Sequence, residues 1–326
     1  MTAPQINLQY TTIKDPLPDF IYEGLKEYSS GANLYRPQPD ILVEKLAKKH
    51  HVPKERIYLT AGIDEAIQMF AHAYGQHAYV FTPTYVVYKD VEEFGGKLTR
   101  IFSISNKQYV INPTARPDAT LIYLANPNNP SGITPKEKVL ELVRNNKHAI
   151  VAIDEAYGAF ANLSVIDEVV NYPNMAVFRS FSKGYGMAGN RIGYMIANPS
   201  IIKVVMNKTQ WSNVSYLSVG AAVTALDHEE YFEKMRLDIN ARRDVLTEFL
   251  SKHKYAIIPS QINAVLLKFP NEKDATGFVE YLKKHNVTVS HGNGTSNIGL
   301  DHSFVRISIG NAKQMQSVRE VIKRFS

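Results

Sequence analysis

The chain predicts an α/β fold: a three-layer α/β/α large domain built on a mostly parallel sheet, followed by a small α+β C-terminal domain. Three observations carry this expectation. Short, continuous apolar runs recur up to about residue 230, the pattern of strands buried on both faces. Helical stretches separate those runs, as parallel strands require. Beyond residue 254 the rhythm changes to strand, helix, strand, strand, helix. The expected division is an arm over residues 1–30, a large domain over 31–230 and a small domain over 231–326.

The first 30 residues, with Pro16 and Pro18 and little periodicity, read as an arm that packs on something else. From Ile41 to His50 the apolar spacing is helical. Ile57-Tyr58-Leu59-Thr60 is a short strand running into Ala61-Gly62, and a helix follows from Ile63 with Asp64 and Glu65 in its first turn, where the macrodipole favours acids. Further strands are expected at 78–81, 98–104, 121–124, 149–153 and 176–178, with a helix at 135–145 after the turn Ser131-Gly132. A long helical region from about Tyr231 to Lys254 leads to a strand at 264–269, a helix at 275–285, strands at 287–289 and 304–309, and a last helix from Ala312.

Composition narrows the function classes. The 326 residues suffice for one large domain plus a smaller one with a substantial core. Apolar residues at 44% and charged residues at 21% are ordinary for a soluble globular protein. No apolar run is long enough to span a bilayer, and Met1-Thr2-Ala3-Pro4-Gln5 lacks a signal-peptide pattern. A cytoplasmic enzyme with no membrane partner is expected. The absence of cysteine excludes disulfides, thiolate metal sites and thiol nucleophiles, and no metal site is expected. The net charge of +6 comes from scattered basic residues whose short clusters read as solvated helix faces, so no nucleic-acid partner is expected.

In a doubly wound sheet, ligands gather beyond the carboxyl ends of the strands. The chemistry-bearing residues fall there one after another. Gly62 and Ile63 stand where a strand meets a helix N-terminus, a place for backbone N–H groups to bind phosphate. Asn126 and Asn129 follow the run at 121–124, Asp154 ends the run at 149–153, and Ser180, Ser182 and Lys183 follow the run at 176–178. Each has a plain reading as well. Asp154 can be a helix N-cap, Asn126-Pro127-Asn128-Asn129-Pro130-Ser131-Gly132 a turn, Lys183 a solvated loop lysine, and Arg191 a partner for carbonyls or an acid. Together, the amine of Lys183, the carboxylate of Asp154, the phenol of Tyr157, the amide of Asn129 and the guanidinium of Arg191 can hold and activate pyridoxal 5'-phosphate.

On these residues the chain resembles the fold-type I pyridoxal-phosphate enzymes, specifically the histidinol-phosphate aminotransferase-like branch of the class I/II aminotransferases, whose fold is that of aspartate aminotransferase. The matching segments are Thr60-Ala61-Gly62-Ile63-Asp64-Glu65-Ala66, Pro83-Thr84-Tyr85, the 126–132 run, Asp154-Glu155-Ala156-Tyr157 with Phe160, Ser182-Lys183 through Ala188-Gly189 to Arg191-Ile192-Gly193, and Val305-Arg306-Ile307-Ser308. The resemblance extends from about Tyr35 to the C-terminus. The resemblance implies that Lys183 forms the Schiff base with the cofactor and that Asp154 keeps its pyridinium nitrogen protonated. Asn129 and Tyr157 would hydrogen-bond the phenolic oxygen, and Tyr85 would stack on the ring. The amides of Gly62, Ile63 and Asp64, with Ser180, Ser182 and Arg191, would hold the phosphate. Arg306, with Asn129, would bind substrate through its α-carboxylate. Tyr35 would reach the phosphate in the partner subunit, implying a homodimer.

The implied reaction moves an amino group between an amino acid or related amine and a 2-oxo acid in ping-pong half-reactions. Two segments depart from the family pattern. The usual Asn-Glu-x-Pro element near the N-terminus is replaced by Asn7-Leu8-Gln9-Tyr10-Thr11-Thr12, and the arginine expected just after the small domain's middle strand is replaced by Ser290-His291-Gly292. A threonine-phosphate decarboxylase-like enzyme or an oxidase on the same fold would keep every cofactor residue. A regulator would carry an added DNA-binding domain, for which 326 residues leave no room. A scaffold without cofactor would not need Lys183 and Asp154.

Overall fold

The computed structural model describes residues 5–292 and 296–325. Its main sheet has seven strands in the order Ile57–Thr60, Gly193–Ala197, Met175–Ser180, Ile150–Asp154, Leu121–Ala125, His77–Thr82, Lys97–Phe102. All run parallel except Gly193–Ala197, which is antiparallel to both neighbours. Side chains alternate between two cores. Ile122, Leu124, Val151 and Ile153 join one apolar cluster, whereas Leu121, Tyr123 and Ala152 join the other. Leu121–Ala125 and the run Ile150–Ile153 are thus apolar throughout, because period-2 geometry sends successive residues into opposite helical layers. The helices Asp40–His50, Lys136–Asn145 and Tyr216–Asp227 cover one face, and Ile63–Tyr74 with Pro199–Val205 covers the other.

A second sheet has the order Ile6–Leu8, Val287–His291, Phe304–Ser308, Ala264–Lys268, Ala256–Ile258. Helices Glu229–Lys252, Glu272–Lys284 and Ala312–Lys323 contribute buried apolar residues to its core. Its first strand comes from the arm. Ile6 pairs with Val287 and Leu8 with Val289 in parallel register, and Leu8 is fully buried.

The expected elements form with ends shifted by a few residues, and several appear that periodicity did not mark. The run expected over 98–104 divides into the strand Lys97–Phe102 and a small ladder of Ile104–Ser105 with Gln108–Tyr109. The arm holds the strand Ile6–Leu8 and the helix Asp19–Ser29. Three residues are too few to show alternation, and the helix starts after Pro18 without a side-chain cap. Its Gly24 lies against Thr224 so closely that a Cβ would sit 2.2 Å from the threonine hydroxyl. Tyr216–Asp227 is buried on nearly every side, which leaves no amphipathic stripe to read.

Because Leu8 is the buried apolar anchor of the arm's strand, Leu8→Ala is expected to lower stability by about 2–4 kcal/mol. Denaturant unfolding measures this, and an unchanged midpoint would mean that the strand does not pack in solution.

Candidate active site

Strand register brings the chemistry together. Asp154 stands between Ala125 and Phe178, and one strand further Ser180 faces Gly193, which faces Thr60. Beyond these carboxyl ends lies a cavity of about 340 Å³. Its lining includes Ile63, Asp64, Tyr85, Asn129, Asp154, Tyr157, Ser180, Ser182, Lys183, Arg191 and Arg306. Gly62 stands just behind, and only Tyr35 among the candidate residues points elsewhere, 83% exposed with its ring 5.8 Å from that of Trp211.

At Gly62 the chain turns from strand to helix with φ of +83°, and a Cβ there would lie 2.6 Å from Arg191 Nη2. Glycine meets both demands. The N–H groups of Ile63 and Asp64 open the helix, where backbone donors lack intrahelical acceptors. The Glu65 carboxylate reaches back to accept the Ala61 N–H at 2.6 Å. Arg191 pairs with the Asp64 carboxylate at 3.0 Å, and Tyr85 donates its hydroxyl to the other Asp64 oxygen at 3.0 Å. Ser180 caps the short helix Phe181–Gly184 by accepting the Ser182 N–H at 3.0 Å, which aims Lys183 into the cavity.

Asp154 is 5% exposed. Its Oδ2 accepts the Tyr88 hydroxyl at 2.6 Å and its Oδ1 the Ala156 N–H at 2.9 Å. Burial pushes the carboxyl up to about 6, against the opposing effect of those two bonds. Among the described residues no lysine or arginine forms an ion pair with it. The carboxylate that follows it, Glu155, is spent on structure, accepting from Ser164 and from the Val165 N–H and forming an ion pair with Arg179 at 3.1 Å.

Arg306 is 3% exposed, and burial lowers its pKa. Its Nη1 donates to Asn129 Oδ1 at 2.7 Å and Asn297 Oδ1 at 2.9 Å, and its Nη2 to the Gln9 carbonyl at 2.8 Å. Its Nε is buried with no hydrogen-bond partner among the described residues. A guanidinium held by three neutral oxygens keeps its full charge for an incoming anion.

Sequence reasoning missed four contributors. Tyr88 and Asn297 carried no motif. Asn297 donates to the carbonyls of Asn129 at 3.0 Å and Thr84 at 3.3 Å, tying Arg306 to the turn after Leu121–Ala125. Tyr10 and Thr11 belong to the arm yet line the cavity. His291, which stands where the family pattern has an arginine, lies outside the cavity lining with its ring bonded to the His302 carbonyl at 2.6 Å.

Because the folded chain holds a proton on Asp154 up to about pH 6 that an unfolded chain has released, ligand-free stability falls as pH rises through that window. The cost is complete above the window. Asp154→Asn is therefore expected to be more stable than the parent at pH 8, by about 1–3 kcal/mol, with the gap closing toward pH 4. Denaturant melts of the ligand-free proteins at both values read this, and a less stable variant at pH 8 would refute it.

Comparison with known proteins bears on the chain as a whole. The family model described as aminotransferase class I and II matches residues 4–325. The histidinol-phosphate aminotransferase of Geotalea uraniireducens is 30% identical over 307 residues, covering 93% of this chain and 85% of that protein. The crystal structure of the histidinol-phosphate aminotransferase from Clostridium acetobutylicum superposes with a TM-score of 0.89 at 22% identity, over 98% of each chain. That of the Sinorhizobium meliloti enzyme in complex with pyridoxal-5'-phosphate superposes at 0.87 and 23% identity, over 99% of this chain and 92% of that one. The likeness thus runs through both sheets and through every strand end that faces the cavity. The chain belongs to the class I and II aminotransferases, enzymes of pyridoxal-phosphate-dependent transamination.

Proposed function

We propose that the protein moves an amino group from an amino acid or related amine to a 2-oxo acid, in two half-reactions at this cavity. The observation that carries the reading is the buried Asp154 carboxylate, without an ion-pair partner among the described residues, in one cavity with Lys183 and Arg306. A buried acid of this kind fits the protonated nitrogen of a pyridine ring. The phosphate fits the Ile63 and Asp64 amides with Ser180, Ser182 and Arg191, as a helix N-terminus and a guanidinium suit a dianion. The orphaned Nε of Arg306 and its neutral partners fit a carboxylate. When bound, the cofactor supplies a ring that accepts electrons released at the substrate Cα.

The chain's own residues do the rest. Lys183 Nζ would hold the cofactor and, as a free amine, would take and return the Cα proton. Asp154 would hold the ring nitrogen's proton, Tyr85 would pack against the ring, and Asn129 and Tyr157 would hold its phenolic oxygen. Arg306 grips the substrate carboxylate and so orients the Cα–H bond. No arginine follows Val289. Ser290 and His291 stand there, and the His302 carbonyl engages His291. A substrate phosphate is therefore not gripped there by a planar guanidinium fork. The chain is read as a large cofactor domain over 31–230 and a small domain over 231–326, working in the cytoplasm. The exposed Leu34, Tyr35 and Trp211 support a homodimer in which Tyr35 completes the partner's phosphate site.

A spectroscopic half-reaction screen tests this reading. The purified protein with cofactor is expected to be yellow, to bleach with an amino donor and to recover with a 2-oxo acid, while Lys183→Ala never develops that band. If carbon dioxide or peroxide is released with no need for an oxo acid, transamination fails as the reading. For the dimer, mixing inactive Lys183→Ala with impaired Tyr35→Phe is expected to restore activity through hybrid subunit pairs. No gain on mixing would place Tyr35 outside the partner's site.

A further inference from the structure

The arm delivers a hydroxyl to the reactive amine. Lys183 Nζ donates to Thr11 Oγ1 at 3.0 Å, and the same oxygen shares a hydrogen bond of 2.7 Å with the Tyr157 hydroxyl. Thr11 is 4% exposed. Its own carbonyl accepts from Asn263 Nδ2 at 2.9 Å, and two residues earlier the Gln9 carbonyl accepts from Arg306 Nη2 at 2.8 Å. The main chain is therefore pinned at Thr11 and just before it. A β-branched side chain on a pinned backbone has little freedom at χ1. Its oxygen is a fixed point in the cavity.

A lysine amine, by contrast, rides on a flexible four-carbon stem. The Tyr157 ring centroid lies 5.6 Å from Nζ, near enough to keep the amine on one side but with no directional bond. We propose that Thr11 is a positioning residue of this site, its hydroxyl holding the Lys183 amine beside Tyr157 for attack on the cofactor's aldehyde and for work at the substrate Cα. The inference rests on the reading of the cavity as a transamination site. Threonine's hydroxyl can accept from the amine and still share its remaining bond with the phenol. Valine keeps the shape and loses the acceptor, and serine keeps the acceptor and loses the methyl.

The test mixes cofactor-free protein with pyridoxal phosphate and follows the rise of visible absorbance, which reads where the amine stands without any turnover. Thr11→Val is expected to slow that step roughly tenfold or more, with Thr11→Ser within about twofold of the parent. In the half-reaction with an α-deuterated donor, Thr11→Val is expected to raise the primary isotope effect, because a misplaced amine makes proton removal slower. Circular dichroism and thermal melting establish that each variant is folded, and Thr11→Ala replaces the valine variant should that not fold. Thr11→Val matching the parent in both rate and isotope effect would overturn the inference alone. So would Thr11→Ser as impaired as Thr11→Val, which would locate the effect in the methyl group's packing. A parent protein that never colours would instead overturn the transamination reading, and this inference with it.

Discussion

A carboxylate kept out of water at the centre of a seven-stranded sheet is costly to build, and the arrangement around it follows from that cost. Asp154 is flanked in register by Ala125 and Phe178, so neither neighbouring strand offers it a charge. Among the described residues, the Tyr88 hydroxyl and the Ala156 N–H are its hydrogen-bond donors. Its energy is recovered when a cation docks against it, which makes the buried acid a reservoir of binding energy. The parallel strands matter here because they bring every carboxyl end to one edge. An antiparallel sheet would have scattered Asn129, Asp154 and Lys183 over two.

Much of the site was legible because its residues are punctuation. Gly62, Pro127, Pro130 and Gly132 mark turns, and a buried run that ends in Asp or Ser-x-Ser-Lys breaks the apolar pattern at the edge where ligands sit. What escaped was held by distant pairing. Tyr88 looks like one more core tyrosine until the fold sets its hydroxyl on Asp154, and Asn297 gains meaning only through its bonds to residues 84, 129 and 306. The arm escaped for the same reason. Its strand of three residues has no pattern of its own, and its order comes entirely from Val287–Val289.

Charge in the cavity is arranged in tiers. Arg191 is matched by Asp64, whose second oxygen is taken by Tyr85, so this guanidinium is held in place while remaining half-exposed. Arg306 is buried and, among the described residues, matched by neutral oxygens alone. The first suits a group that stays, the second a group that must come and go, since a neutral cage lets each anion enter and leave without breaking an ion pair.

The pairing of Ile6–Leu8 with Val287–His291 has a temporal side. Gln9 and Arg306 are 297 positions apart, and Thr11 and Asn263 are 252 apart. Closing loops of that length waits until the intervening sheets exist. A chain emerging from the ribosome can assemble the strand edge that carries Lys183 long before the arm strand Ile6–Leu8 has Val287–Val289 to dock on. The arm is thus among the last parts to be fitted, and the site is whole only when Gln9 and Thr11 have met Arg306 and Asn263.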